Sequence, residues 1–197
     1  MNSNNDTFIR QQIRPKKEIT GSIDGLSFSD LVEQEPQRLD KHNYYLNIAD
    51  SVSMRGTCLR RNYGAVIVNN DEIISTGYNG APRGRKNCSD LGYCIRQNLN
   101  IPRGERYEMC RSVHGEQNAI ISAPRSKMIG GTLYLCGRDK ETGEYIKDAD
   151  CCSMCKRMII NAGISKVIIR DTYNDYRVIP VEYWIVDDDS LNGSMGY

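Results

Sequence analysis

The chain has 197 residues, with 26 basic and 25 acidic side chains and a formal net charge of +1 at neutral pH. That length supports one good-sized core, the balanced charge argues against the broad basicity that long nucleic acids demand, and no apolar run reaches the length of a membrane span. Met1 is followed by polar residues without the apolar stretch of a secretory signal, so a cytoplasmic protein is expected, and its eight cysteines read as metal ligands or small core residues rather than disulfides.

Residues 1–39 carry the polar tract Asn2–Asn5, the interruptions Gly21 and Gly25 and no sustained period, which predicts a flexible N-terminal extension. The alternative is a short helical turn through Phe28, Leu31 and Val32 that docks on a neighbouring subunit. Tyr45, Ile48, Ala49 and Val52 then recur at the spacing of a helix. Ala65–Val68 and Ile73–Thr76 flank Asn69-Asn70-Asp71-Glu72, which reads as a hairpin around a tight turn. The apolar run Ala119, Ile120, Ile121 and Ala123 stops at Pro124, as a short helix starting near His114 would. Thr132–Leu135 reads as a strand, with Cys136 as a small buried residue beside it. Gly137–Asp150, centred on Glu141-Thr142-Gly143-Glu144, is expected to form a protruding hairpin that covers the site or touches a subunit. A second short helix runs from Cys152 through Met158, Ile159 and Ala162 to Gly163, and Lys166–Ile169 makes a last strand. The order helix, hairpin, helix, strand, helix, strand predicts an α/β domain over residues 40–187, with a mixed central sheet between helices and a tail at 188–197.

Chemistry concentrates in two short motifs. His114-Gly115-Glu116 and Cys152-Ser153-Met154-Cys155 together offer one imidazole, two thiols and a spare carboxylate. Alone, Cys-x-x-Cys is equally a redox pair or half of a structural zinc site. Paired with the histidine it supplies three zinc ligands and leaves a position for water, the arrangement of a catalytic site, while Glu116 is free to move protons. Both motifs open a helix, where exposed N–H groups and the helix dipole favour thiolate over thiol. H-x-E followed by P-C-x-x-C is the signature of zinc nucleobase deaminases, in which the glutamate is not a ligand.

On these residues the chain resembles the cytidine/deoxycytidylate deaminase superfamily, over about residues 40–170. The resemblance implies the cytidine-deaminase-like three-layer α/β/α fold and hydrolytic deamination of dCMP to dUMP and ammonia, with catalytic zinc on His114, Cys152 and Cys155 and Glu116 as the proton carrier. Rival readings are a nucleoside, CMP or tRNA deaminase, and a non-catalytic zinc-binding module. Gly77-Tyr78-Asn79-Gly80, followed by a Pro/Gly loop to Gly84, looks like the superfamily's nucleotide-binding loop, where Asn79 would meet the deoxyribose hydroxyl and Tyr78, Asn79 and Gly80 form a candidate effector loop. Its glycines are read as allowing positive φ and a close ligand. Arg83, Arg85 and Lys86 in that loop are candidates for a 5′-phosphate, as are Arg103, Arg106 and Arg111. Gly115 is expected to offer its N–H to the pyrimidine carbonyl, and Tyr134 to pack near the base.

Cys58, Cys88, Cys94 and Cys110 form a second constellation, read either as a closed structural zinc site, which some members carry, or as free buried thiols. The sequence departs from the family pattern at Gly115, where alanine is usual, at Cys151, where proline is usual and an extra thiol can compete for the metal, and in the long 137–150 segment. The family's habits further imply a homo-oligomer, often a hexamer, with dCTP activation and dTTP inhibition, Mg2+ accompanying such an effector triphosphate.

Overall fold

A computed structural model describes residues 38–102 and 104–188. The expectations for residues 1–37, among them Phe28, Leu31 and Val32, for Arg103, and for the end of the tail lie outside those residues. The compact unit begins at Leu39. Its first helix, α1 (Lys41–Ser53), starts where the Asp40 carboxylate accepts the N–H groups of His42 and Asn43, a cap whose removal costs about 1 kcal/mol. Leu46 and Ala49 of α1 are fully buried.

Strands β1 (Arg61–Asn69) and β2 (Glu72–Tyr78) form the expected antiparallel hairpin. Asn70 and Asp71 both take positive φ, 49° and 66°, the backbone of a primed two-residue turn whose twist suits a hairpin. Strand β3 (Thr132–Asp139) lies antiparallel to β1, and β4 (Lys166–Arg170) lies parallel to β3. A fifth strand that the sequence pattern did not reveal, β5 (Tyr176–Pro180), closes the edge antiparallel to β4, giving the order β2-β1-β3-β4-β5. A helical turn, Glu182–Val186, follows it.

The inner strands alternate between two apolar faces, as a sheet covered on both sides must. Ile67, Leu133, Leu135, Val167 and Ile169 share one core with Ala119 of helix α4 (Gly115–Ile121) and with Cys155 and Ile159 of helix α6 (Ser153–Ala162). Val66, Val68, Tyr134, Cys136 and Ile168 share the other with Leu46 and Ala49 of α1. The result is the three-layer α/β/α arrangement, with short helices α2 (Cys88–Leu91), α3 (Ile95–Asn98) and α5 (Arg125–Met128) in the connections.

The segment 137–150 folds back on itself, and its tip, residues 140–144, is exposed. Gly143 takes the positive φ of a turn, 73°, and Arg138 bridges Tyr145. The hairpin is then clasped to α1: Arg138 donates to both Asp50 oxygens at 2.5 and 2.6 Å, and the Tyr145 hydroxyl donates to Asp50 at 3.0 Å. Ile146 and Ala149 continue into the α4/α6 core, so the expectation of a flap over the site is corrected to a braced edge of the sheet. Cys136 is buried as expected, its thiol 3.5 Å from Asp50 Oδ1.

Candidate active site

Helices α4 and α6 start side by side on one face of the sheet, and the two motifs are their caps. His114 precedes α4 with extended backbone, and the Gln117 side chain accepts its N–H at 3.0 Å. Cys152 occupies the same position before α6, which ends in Gly163 with a left-handed φ of 79°. The sulfurs of Cys152 and Cys155 each lie 3.4 Å from His114 Nδ1. Among the described residues this is the one group of three metal-ligating side chains whose donor atoms all fall within 4.8 Å of one another. Glu116 stands outside that set, one residue into α4, 4% exposed.

The electrostatics of the cluster follow from burial and proximity. Burial disfavours the His114 imidazolium, but hydrogen bonds to Cys110 and Cys152, with the nearby Glu116 charge, push it up to about 11. A hydrogen bond from Cys155 holds Cys152 down to about 4, its thiol partner being driven upward in return. Burial pushes the Glu116 carboxyl up, with the Cys152 charge adding to it and His114 opposing. Thiolate and carboxylate thus create a field that favours a cation among them. Two sulfurs and one nitrogen, converging from two helix starts, fit a zinc ion with a position left for water. Cys151 does not compete: it is 3% exposed in the α4/α6 core, and burial followed by the Glu116 charge drives its thiol far above the ordinary range.

A cavity opens beside these groups. His114, Gly115, Glu116, Cys152, Tyr63 and Asp150 line its metal end. Tyr107 stands edge-on to His114, ring centres 5.3 Å apart, and Arg96 lies over the Tyr107 ring at 4.4 Å. Arg60, Arg61 and Ser112 form further walls. None of Tyr63, Tyr107, Arg60, Arg61 or Arg96 was singled out from sequence. The available signal was the adjacent basic pair Arg60-Arg61 at the foot of an apolar strand.

Asn79 lines the cavity and is held against the backbone of β1: Oδ1 accepts from Tyr63 N–H and Nδ2 donates to the Arg61 carbonyl, both at 2.8 Å, which leaves a second N–H and a second lone pair on the amide. Tyr78 and Gly80 tie the loop to α4 and its approach. The Tyr78 carbonyl accepts from Asn118 at 2.7 Å, and Gly80 exchanges two backbone hydrogen bonds with Val113. Of this loop's glycines Gly84 takes the expected positive φ, 84°, whereas the reading is corrected for Gly77 and Gly80, which do not. Gly77 instead lets α4 approach, for a Cβ there would lie 2.2 Å from the Gly115 carbonyl oxygen.

Arg83 and Arg85 are exposed and do not line this cavity, so they are not brought to the site. Lys86 offers its carbonyl to Arg111 at 2.8 Å, and Arg106 pairs with Glu108 at 3.2 Å. Tyr134 is on the opposite side of the sheet, packed with α1 and hydrogen-bonded to His42 at 3.0 Å. Period-two alternation sends it away from Leu133 and Leu135, and the expected contact with a base is corrected accordingly. Cys58, Cys94 and Cys110 lie along the cavity and Cys88 nearby, but the four do not converge as closely as the first set, and Cys110 turns its thiol to His114.

Residues 39–170 match the model of the cytidine and deoxycytidylate deaminase zinc-binding region, and the chain belongs to that family. A deoxycytidylate deaminase of Schizosaccharomyces pombe is 29% identical over 171 residues, covering 87% of this chain and 47% of that protein. The deoxycytidylate deaminase of Mycobacterium phage D29 is 33% identical over 136 residues, covering 66% of this chain and 94% of the phage protein. The chain therefore spans about half the length of the yeast relative and nearly all of the phage one. A crystal structure of dCMP deaminase from the cyanophage S-TIM5, in complex with dCMP and dUMP, shares 25% identity over 69% of this chain and 86% of that one, with a TM-score of 0.45.

Proposed function

We propose that this chain hydrolyses dCMP to dUMP and ammonia. The observation that carries the reading is the separation of roles at one cavity: three soft donors within 4.8 Å of one another, and a buried carboxylate from the same helix start left outside the set. Zinc held by His114, Cys152 and Cys155 would supply Lewis-acid activation of water at roughly neutral pH. Glu116 collects a proton from the attacking water and delivers it to N3 as the oxygen bonds to C4. It then carries the second proton to the exocyclic nitrogen, which departs as ammonia. A carboxyl whose proton affinity is raised by burial suits a group that must hold a proton between two transfers. The Gly115 N–H is the donor for the pyrimidine carbonyl.

The reading extends to a second, structural zinc on Cys58, Cys88, Cys94 and Cys110. Its support is that the Cys88 thiol, raised first by its own burial, also feels the charges of Cys58, Cys110 and Cys94. A cytoplasmic homo-oligomer with dCTP and dTTP as effectors completes it. No helix among the described residues is long and apolar enough to cross a membrane. The test is ammonia release from dCMP, deoxycytidine, CMP and an RNA hairpin by the zinc-replete protein. Turnover of dCMP above the others is the expected result, and release from the hairpin alone would overturn it.

A further inference from the structure

Glycine weakens a strand interior and often marks the close approach of another group. Gly137 is buried inside β3 and does not take the positive φ that would require it. What it provides is room. It lies opposite Tyr63 in the β1–β3 register, and a Cβ at residue 137 would fall 2.5 Å from Tyr63 Cε1, 2.9 Å from Cδ1 and 3.2 Å from Cζ. The phenol ring is therefore laid across the bare backbone of β3, in space that a side chain at 137 would take.

The backbone around this ring is held. Tyr63 N–H donates to Asn79 Oδ1 at 2.8 Å, and its carbonyl accepts the Asn79 N–H at 3.2 Å. That carbonyl oxygen also stands 3.1 Å from where a Cβ of Gly115 would be, so the departure from alanine at Gly115 falls against the same residue. Across the sheet, the Gly137 carbonyl accepts the Ile146 N–H at 2.9 Å. With both strands tied, the soft coordinate is rotation of the ring. Ala65, the next residue on this face of β1, is fully buried and closes the side toward the core. A ring displaced from Gly137 has the cavity as its open side, at the end it lines with Glu116 and Cys152.

The deaminase reading leaves one edge of the base for this ring. C4 faces the donors of His114, Cys152 and Cys155, N3 and the ring carbonyl face Glu116 and the Gly115 N–H, and N1 carries the sugar outward. The apolar C5–C6 edge remains. Of the other residues at the metal end, Asp150 is exposed, with one oxygen on the Cys151 N–H at 2.8 Å and the other on Lys156 at 3.1 Å. Tyr63 is left, and an aromatic ring suits an apolar edge. We propose that Tyr63 is the specificity-determining wall at the C5–C6 edge, rejecting cytosine nucleotides substituted at C5. Gly137 is the positioning residue that keeps its ring out of the space of the base. The proposal rests on the deaminase reading for the placement of that base.

The experiment measures kcat and KM on dCMP and 5-methyl-dCMP, calorimetric binding of dUMP and 5-methyl-dUMP, and zinc content, all on the zinc-replete full chain and its variants. The wild type is expected to favour dCMP over its 5-methyl derivative by about tenfold or more, the scale on which a pocket resolves one methyl group. Tyr63→Val should shrink that ratio by a similar factor, whereas Tyr63→Phe, which keeps the ring, should retain it. Gly137→Ala should raise KM for dCMP by about tenfold with a smaller loss in kcat, weaken dUMP to match and leave zinc in place. Adding Tyr63→Val to Gly137→Ala should restore dUMP binding, a rescue that a merely loosened β3 would not show. If Gly137→Ala fails to fold, the Tyr63 variants decide alone. Equal wild-type efficiency on the two substrates would overturn the proposal, as would a double variant that binds dUMP no better than Gly137→Ala. Ammonia release from dCMP with a methyl ratio indifferent to residue 63 defeats the wall and spares the deaminase. A preference for dUMP over 5-methyl-dUMP that Tyr63→Val abolishes, with no ammonia from any cytosine substrate, does the reverse.

Discussion

The contact between β2 and α4 makes Gly77→Ala the most demanding test of the fold's hold on the site. A Cβ at residue 77 would lie 2.2 Å from the Gly115 carbonyl oxygen and 2.3 Å from the Ala119 nitrogen, both backbone atoms of the segment that carries His114 and Glu116. Ordinary contact begins at 3.4 Å, so either the strand or the helix must retreat by about 1.2 Å. Overpacking of this kind costs about 1–3 kcal/mol, or roughly 2–12 °C in Tm for a domain of this size. Such a protein is still folded at 25 °C. Its chemistry suffers more, because a shift of about 1 Å in a catalytic group can remove about a hundredfold in rate. Thermal unfolding of the zinc-replete protein, combined with kcat on dCMP at 25 °C, separates the two effects. A Gly77→Ala variant with unchanged Tm and full turnover would refute the argument that this glycine exists to seat the catalytic helix.

Glu116→Gln keeps the shape and loses the proton carrier, so zinc content should hold while kcat falls by about a hundredfold or more; loss of the metal would instead make Glu116 a ligand. Cys152→Ser should lose both zinc and turnover, because the adjacent Cys151 is buried in the core and its thiol is held protonated. Stoichiometric zinc in that variant, measured by atomic emission, would contradict the ligand assignment. Asp50→Asn addresses the clasp on the 137–150 hairpin. Burial raises the Asp50 carboxyl, but the hydrogen bonds from Arg138 and Tyr145 outweigh it and leave its pKa below the ordinary value of 3.8. A depressed folded pKa stabilises above the unfolded value and is lost as pH falls through the folded one. The variant should therefore be roughly 1.5–3 kcal/mol less stable at pH 7, the gap closing below about pH 4. Urea midpoints of both proteins across that range check it, and a constant gap down to pH 3 would contradict the sign.

What the sequence disclosed about the site is what short-range geometry determines. His114 and Glu116 are two residues apart, Cys152 and Cys155 three, and each pair sits at the start of a short helix whose other end comes before Pro124 or at Gly163. Helix caps and ligand spacings are local, so they survive without knowledge of the fold. The hairpin turn was equally local, since Asn70 and Asp71 are residue types that tolerate positive φ. Strand β5 was harder to see because an edge strand needs only a half-buried pattern: Tyr176, Arg177, Ile179 and Pro180 are partly exposed and Val178 is 49% exposed.

The misplaced residues fail for a different reason. Leu133, Tyr134, Leu135 and Cys136 are all apolar and all buried, so alternation divides them into two faces without saying which face the metal occupies. Only the packing of α1 against Tyr134 and of α4 against Leu133 and Leu135 decides it. Arg83 and Arg85 follow Asn79 closely in the chain, and nearness in sequence stood in for nearness in space. Asn79 instead reaches back across the hairpin to Arg61, 18 residues earlier, and Asp50 meets Arg138 across 88. Both contacts depend on the order of the strands in the sheet. The pairing of Asn79 with Arg61 borders the cavity beside the donor set, whereas each of the two motifs is built from neighbours. Reaction type was therefore legible from the motifs, and the other residues that line the cavity came only with the assembled sheet.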